Sequence, residues 1–443
     1  DGTGLLAGRI ATGWFQVGND WYRAETDGTL NFGTLEWGSE GKYFFDKITG
    51  KSLFSIRKSG KTYYGYGPGG SDATLIHGFY EFDGKKYYFG KKDDGSGLAE
   101  GQMATGSRMI DGKAYYFNND GIEEKHEFAG FQTINGKTYY FGKKEDGTGL
   151  AEGERARWTV NINGKWHYFS GDGSAWAANS WLADYNQAGK PNTWYILEKG
   201  EMASGFKQID GKTYYFDPNN RCRMSTGFQT IEGKQYYFGQ NGDGSGLAKG
   251  QMASGFHTIH GKIYYFGKDG QVKKGIHSVG DDRYFLDNAT GECIFSIQQR
   301  GYSWIGYAPD GSTPIVGFKE FGGNKYHFNK KDPIRSLEEG ELSLGMPLID
   351  DKYYYFSTEP GLERGKMLTG FQGQNSGGIT KLYYFDPAAK DGVLTGFHAI
   401  GGNKYYFGEM DGPLELGLGE MAIGVQIIGG KRYEFEVDGR LKS

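Results

Sequence analysis

One phrase of twelve residues, GFQTINGKTYYF from Gly130, limits what this chain can become, because it returns along the whole length. Close copies start at Gly205, Gly227 and Gly255, and looser ones at Gly78, Gly106 and Gly396. Asn135-Gly136 and Asp210-Gly211 tolerate the positive φ of a type I′ turn, so each copy is expected to be a tight β-hairpin. The Tyr-Tyr-Phe run after the turn favours a strand. A lone hairpin of this size is marginal in water, so the copies must pack on one another. The expected fold is an all-β array, a β-solenoid of stacked hairpins, continuous over 1–443.

Spacing sorts the repeats into two kinds. Gly205 to Gly227 is 22 residues and Gly255 to Gly275 is 20, a hairpin with a short connection. Gly78 to Gly106 and Gly227 to Gly255 are each 28. The longer connections carry motifs such as FGKKDDGSGLAEGQMATG and end in a Met-Ala/Leu-Ser/Thr-Gly step. Met103, Met202, Met252, Met367 and Met421 are expected to plug the space between hairpins.

Three stretches break the pattern. DKITGKSLFSI from Asp46 is matched by DNATGECIFSI from Asp287, 241 positions later, and GKTYYGYGPGGS from Gly60 by GYSWIGYAPDGS from Gly301 at the same offset. This makes 46–78 and 287–317 a duplicated irregular unit. The third break, 155–200, holds five of the nine Trp: Trp158, Trp166, Trp176, Trp181 and Trp194.

The 50 basic and 54 acidic residues leave a net charge of −4, with no basic footprint for nucleic acid. Apolar runs are only a few residues long, too short for a helix that spans a bilayer. Cys222 and Cys293 sit in different repeats and are expected to stay unpaired. The first residues, DGTGLLAG, match the interior of later copies (DGSGLAEG from Asp94), so the chain is read as a piece of a longer protein.

No catalytic constellation emerges. Most Asp and Glu occupy turns, where Asp is favoured for geometry, and turn carboxylates along an array do not converge as a glycosidase requires. DDGSG from Asp93 offers half of a calcium loop without the remaining ligands. His257 and His260 flank one turn without a metal motif. Neither cofactor nor metal is expected. Adjacent strand residues point to opposite faces, so in each Tyr-Tyr-Phe run one face packs in the stack and the other can be exposed, once per repeat. A row of such rings would suit pyranose faces or a cation such as choline, with avidity for a polymer.

The repeated GF-x-T-I-x-G-K-x-Y-Y-F resembles the bacterial cell-wall-binding (choline- and glucan-binding) repeat superfamily over nearly the whole chain. The resemblance implies a β-solenoid on a secreted or cell-surface bacterial protein that binds polysaccharide or cell-surface glycan without catalysis. Choline-binding members carry Gly-Trp and Trp-Tyr-Tyr, of which only Gly13-Trp14 is kept here. The GKTYYF units are similar to glucan-binding repeats of glucansucrases. The mixed repeat lengths are similar to the C-terminal repetitive regions of large clostridial toxins, which bind host carbohydrate near long-repeat junctions. Ligand contacts are therefore expected from Tyr63, Tyr64 and Tyr66, from Trp304 and Tyr307, and from Trp166, Trp181 and Trp194. Two rival expectations stand beside this one. One is a structural rod that self-associates through open strand edges; the other is a receptor-binding region serving a toxin or enzyme.

Overall fold

A computed structural model of the chain describes residues 8–71, 73–185, 191–376, 379–386, 392–409 and 416–442. Among these it forms 40 strands and three single turns of 3-10 helix, with no α-helix. The chain divides into two compact units: Asp1–Lys207 with Phe216–Met224, and Gln208–Tyr215 with Ser225–Ser443. Each is an all-β assembly of small antiparallel sheets, mostly single hairpins.

The hairpins follow the expected register. Gly130 pairs with Phe141, Phe131 with Tyr140 and Ile134 with Lys137, which leaves Asn135-Gly136 as a two-residue turn. Their φ angles of 52° and 75° are both positive, as a type I′ turn requires. His260 (49°) and Glu232 (50°) take the same conformation before their glycines, although glutamate, unlike histidine, does not favour it. The flanking strands impose the turn there.

The connections join hairpins in a fixed grammar. Met103 N–H donates to the carbonyl of Tyr63, two hairpins back, and Ala104 N–H to Tyr88 of the hairpin just before. In the second unit Met252 donates to Thr213 and Ala253 to Tyr237, while Met421 donates to Leu382 and Ala422 to Tyr406. Val272 and Lys273 repeat this toward Gln235 and Tyr265. Met103, Met252, Met421 and Val272 also cover a glycine of the next connection. A Cβ on Gly121 would meet Met103 Sδ at 2.5 Å. The expected role of these methionines as plugs thus holds for Met103, Met202 and Met421, which are buried.

The duplicated irregular blocks are four-stranded meanders, 33–66 in the first unit and 275–307 in the second. They begin earlier than the sequence boundaries of 46 and 287 because the preceding hairpin joins the same sheet. The two match in detail. Each has a register shift, at Phe44/Phe45 and at Phe285/Leu286. Each stacks two phenylalanines, Phe44 on Phe54 at 4.4 Å and Phe285 on Phe295 at 4.1 Å. Each sets a glycine, Gly65 or Gly306, against a phenylalanine ring, Phe89 or Phe328. The third stretch contains two further hairpins, 158–169 and 180–196.

One expectation is corrected. Where a long connection follows, both tyrosines of the Tyr-Tyr-Phe run are buried: Tyr87 and Tyr88, Tyr139 and Tyr140, Tyr236 and Tyr237, Tyr405 and Tyr406. No row of exposed tyrosines forms there, since neighbours cover both faces of the hairpin. The loop carboxylate explains the second face. Asp243 accepts from Tyr237 Oη at 2.5 Å and from the N–H groups of Gln240 and Ser245. Asp94 and Asp146 do the same toward Tyr88 and Tyr140. These oxygens are already engaged by protein donors, and DGSG acts as a loop anchor. Cys222 and Cys293 are buried free thiols.

Candidate functional site

The ring that stays in solvent is the phenylalanine of the opening Gly-Phe. Phe79, Phe228, Phe256, Phe318, Phe371 and Phe397 are 37–46% exposed at one register position. Each lies against an aromatic ring of its own hairpin and another of the next. Phe228 is 4.8 Å from Tyr237 and 5.2 Å from Tyr264. Phe256 is 4.5 Å from both Tyr265 and Tyr284. Phe397 is 4.8 Å from Tyr406 and 5.1 Å from Tyr433. In the first unit Phe79 repeats this with Tyr88 and Tyr115, and Phe131 does so with Tyr140 and His167. Tilted to edge-to-face packing holds each ring with an outer side in water. The sequence reading missed these residues, although their fixed place after glycine was visible.

The residues expected from sequence are scattered. Tyr63, Tyr64 and Tyr66 share one strand, Thr62–Tyr66, and are half-buried. Tyr66 lies under the Arg57 guanidinium at 4.5 Å. Tyr63 packs on the meander core and borders a cleft of about 110 Å³ with Lys42 and Asp120. Trp304 matches Tyr63 in the second meander. It packs against the core cluster that holds Phe285, Phe295 and Phe328, with Arg283 at 5.8 Å and Arg364 at 5.6 Å. Tyr307 has Arg300 at 5.5 Å. These cation–π contacts occupy ring faces that a cationic ligand would need.

In the central stretch the three tryptophans differ. Trp181 is 40% exposed and edge-on to Tyr195 at 5.1 Å. Trp166 is half-buried near Arg221. Trp194 is only 6% exposed and its Nε1 donates to the Arg221 carbonyl at 2.8 Å, so it presents no platform to solvent. Another tryptophan, Trp158, is 58% exposed. It stands where other hairpins open with glycine and keeps their positive φ, at 60°. Trp14 and Trp21 face Pro68, Gly69 and Gly70 across a cleft of about 270 Å³. His257 places its ring nitrogens 3.0 Å from the carbonyls of Ser245 and Ser254. Among the described residues no group of three metal-ligating side chains comes together.

Regularly spaced aromatic hairpins define a class of repeat-built binding proteins. The family model described as "Putative cell wall binding repeat" matches residues 12–30, 108–122, 129–146, 160–175, 204–219, 226–243, 254–271 and 395–409. In these eight stretches the chain thus carries cell-wall-binding repeats. The chain is 26% identical over 366 residues to Glucosyltransferase-I of Streptococcus downei, covering 76% of this chain and 21% of that protein. It is 27% identical over 230 residues to Glucosyltransferase-S of Streptococcus mutans serotype c, covering 49% and 12% respectively. It therefore spans no more than about a fifth of the length of these relatives. Among solved structures, CbpF in complex with ipratropium aligns with 19% identity and a TM-score of 0.34, covering 71% of this chain and 98% of that one. CbpJ from Streptococcus pneumoniae aligns with 20% identity and a TM-score of 0.29, covering 82% and 99%.

Proposed function

We propose that this chain is the non-catalytic glycan-binding region of a secreted or surface-attached bacterial protein, and that its ligand is a polymeric α-glucan. The recurrence of an exposed phenylalanine held between two rings of successive hairpins carries this reading. Each outer face can take the C–H side of a pyranose. One such contact is weak, and several on one chain gain affinity for a polymer. The glucosyltransferase likeness supports glucan as the polymer. Tyr63, Tyr64, Tyr66, Trp166, Trp181, Trp304 and Tyr307 add contacts where the repeat is irregular. Within each unit the reading includes a β-solenoid, supported by connections that bond to the hairpin before and to the one before that.

Titration with dextrans of increasing length tests the proposal. Affinity should rise steeply with length, and Phe256→Ala with Phe397→Ala should lower it severalfold while far-UV circular dichroism stays unchanged. Length-independent binding, or full binding by the double variant, would overturn the reading.

A further inference from the structure

One junction departs from the others at three positions. Residues 102–106 read Gln-Met-Ala-Thr-Gly and 201–205 read Glu-Met-Ala-Ser-Gly, whereas 154–158 read Glu-Arg-Ala-Arg-Trp. Arg155 occupies the methionine site. It bridges to Phe141 as Met103 does to Phe89 and Met252 to Phe238. Its side chain covers Gly173, where an added Cβ would meet Nε at 2.5 Å, just as Met103 covers Gly121. A guanidinium therefore lies where an apolar plug lies elsewhere.

The surroundings compensate it only in part: Asp172 attracts it without an ion pair, its oxygens being taken by Ser170, Ser174 and Lys137. Arg155 Nε and Nη1 are buried and have no hydrogen-bond partner. Burial, then the nearby Arg157, holds this guanidinium below its ordinary pKa. Arg155, Arg157 and Lys113 border a groove of about 520 Å³ whose apolar lining includes Met109, Phe128 and Phe141. Its one carboxylate, Glu154, accepts the Ala151 N–H at 2.8 Å. Among the described residues, no carboxylate lies within 4.0 Å of the three cations. Unpaired buried donors are costly, and arginine donors suit the oxygens of a carboxylate, sulfate or phosphate. Trp158, strained and exposed at the same junction, is a second departure of the kind that gathers at functional positions.

We propose that this groove binds the oxyanion of an acidic polysaccharide, with Arg155 and Arg157 holding the anionic group and the apolar lining receiving the sugar that bears it. Only the polysaccharide part rests on the glycan-binding reading above.

The test compares wild type with R155M/R157S, which restores the Met-Ala-Ser present at 252–254 and so keeps a junction this chain already folds. Dextran, dextran sulfate and polygalacturonate are titrated at fixed ionic strength, and melting is followed with and without inorganic sulfate. Wild type should bind at least one anionic polymer tenfold or more better than dextran, with affinity falling as salt rises. Which polymer it is distinguishes sulfate from carboxylate. The variant should lose that preference, keep dextran binding, and lose the melting rise with sulfate. Equal anionic binding by the variant, or no anionic preference in wild type, overturns the inference. Arginine-dependent anionic binding with no dextran binding upholds the groove and sinks the glucan reading; dextran binding alone does the reverse.

Discussion

Tyr237 Oη and Asp243 Oδ2 meet at 2.5 Å in a buried bond that closes a long connection onto its own hairpin. The same bond joins Tyr140 to Asp146 and Tyr88 to Asp94. Removing the hydroxyl with Tyr237→Phe leaves a buried carboxylate one donor short. The expected cost is about 1.5–3 kcal/mol, read as a lower urea midpoint with an unchanged slope.

These anchors also set the pH limits of stability. Burial raises the Asp243 carboxyl, but donors from Ser245, Tyr237 and Gln240 outweigh it and hold it below the ordinary range. Its contribution is therefore intact above about pH 4 and fades as pH falls through the lower folded value. Tyr140 and Tyr406 are pushed up to about 12, first by burial and then by Asp146 and Glu409. Their contribution is intact below about pH 10 and fades from there upward. Urea midpoints across pH should show a plateau between these limits, and tyrosinate absorbance should rise together with unfolding on the alkaline side. A midpoint still constant well above pH 10 would contradict this.

Glycine without positive φ makes a clean steric test. A Cβ on Gly65 would sit 2.5 Å from Phe89 Cδ1 and 2.7 Å from Ile76 Cγ1. Gly65→Ala should destabilise by about 1–3 kcal/mol through overpacking. The second meander should respond alike to Gly306→Ala.

Trp158 makes the opposite case. Replacing it with glycine removes a bulky residue from a left-handed conformation that costs roughly 1–2 kcal/mol, at the expense of glycine's extra entropy of about 0.5–1 kcal/mol. Trp158→Gly should stabilise slightly in thermal melts. A clear loss of stability would mean that the indole contributes packing beyond its contact with Tyr168.

Two expected platforms should separate packing from binding. Trp304→Ala removes a ring from the meander core and should cost about 2–4 kcal/mol. Trp181→Ala should cost about 1 kcal/mol or less and mainly weaken glucan binding. Unchanged glycan binding in both variants would remove them from the site.

The hairpins were legible because turn and strand signals coincide within twelve residues, as in Asn135-Gly136 before Tyr139-Tyr140-Phe141. Which ring reaches solvent was not legible. Burial of Tyr237 depends on a carboxylate six positions on, and burial of Trp194 on a carbonyl 27 positions on. Exposure of Phe256 likewise depends on where the next hairpin sets Tyr284. The Arg155 junction left a signal in the letters themselves: aligned with the other steps, it is the one with charge in place of Met and Thr or Ser.

The bonding of connections such as those at Met103, Met252 and Met421 to two earlier hairpins gives assembly a direction. Tyr63 offers its carbonyl, but its donor arrives only with Met103, after a whole further hairpin has been made. A growing chain therefore closes each turn behind its leading end, one repeat late, and always with parts already synthesised. These backbone steps need nothing further along the chain, so the hairpins that share them can consolidate while the rest is still emerging.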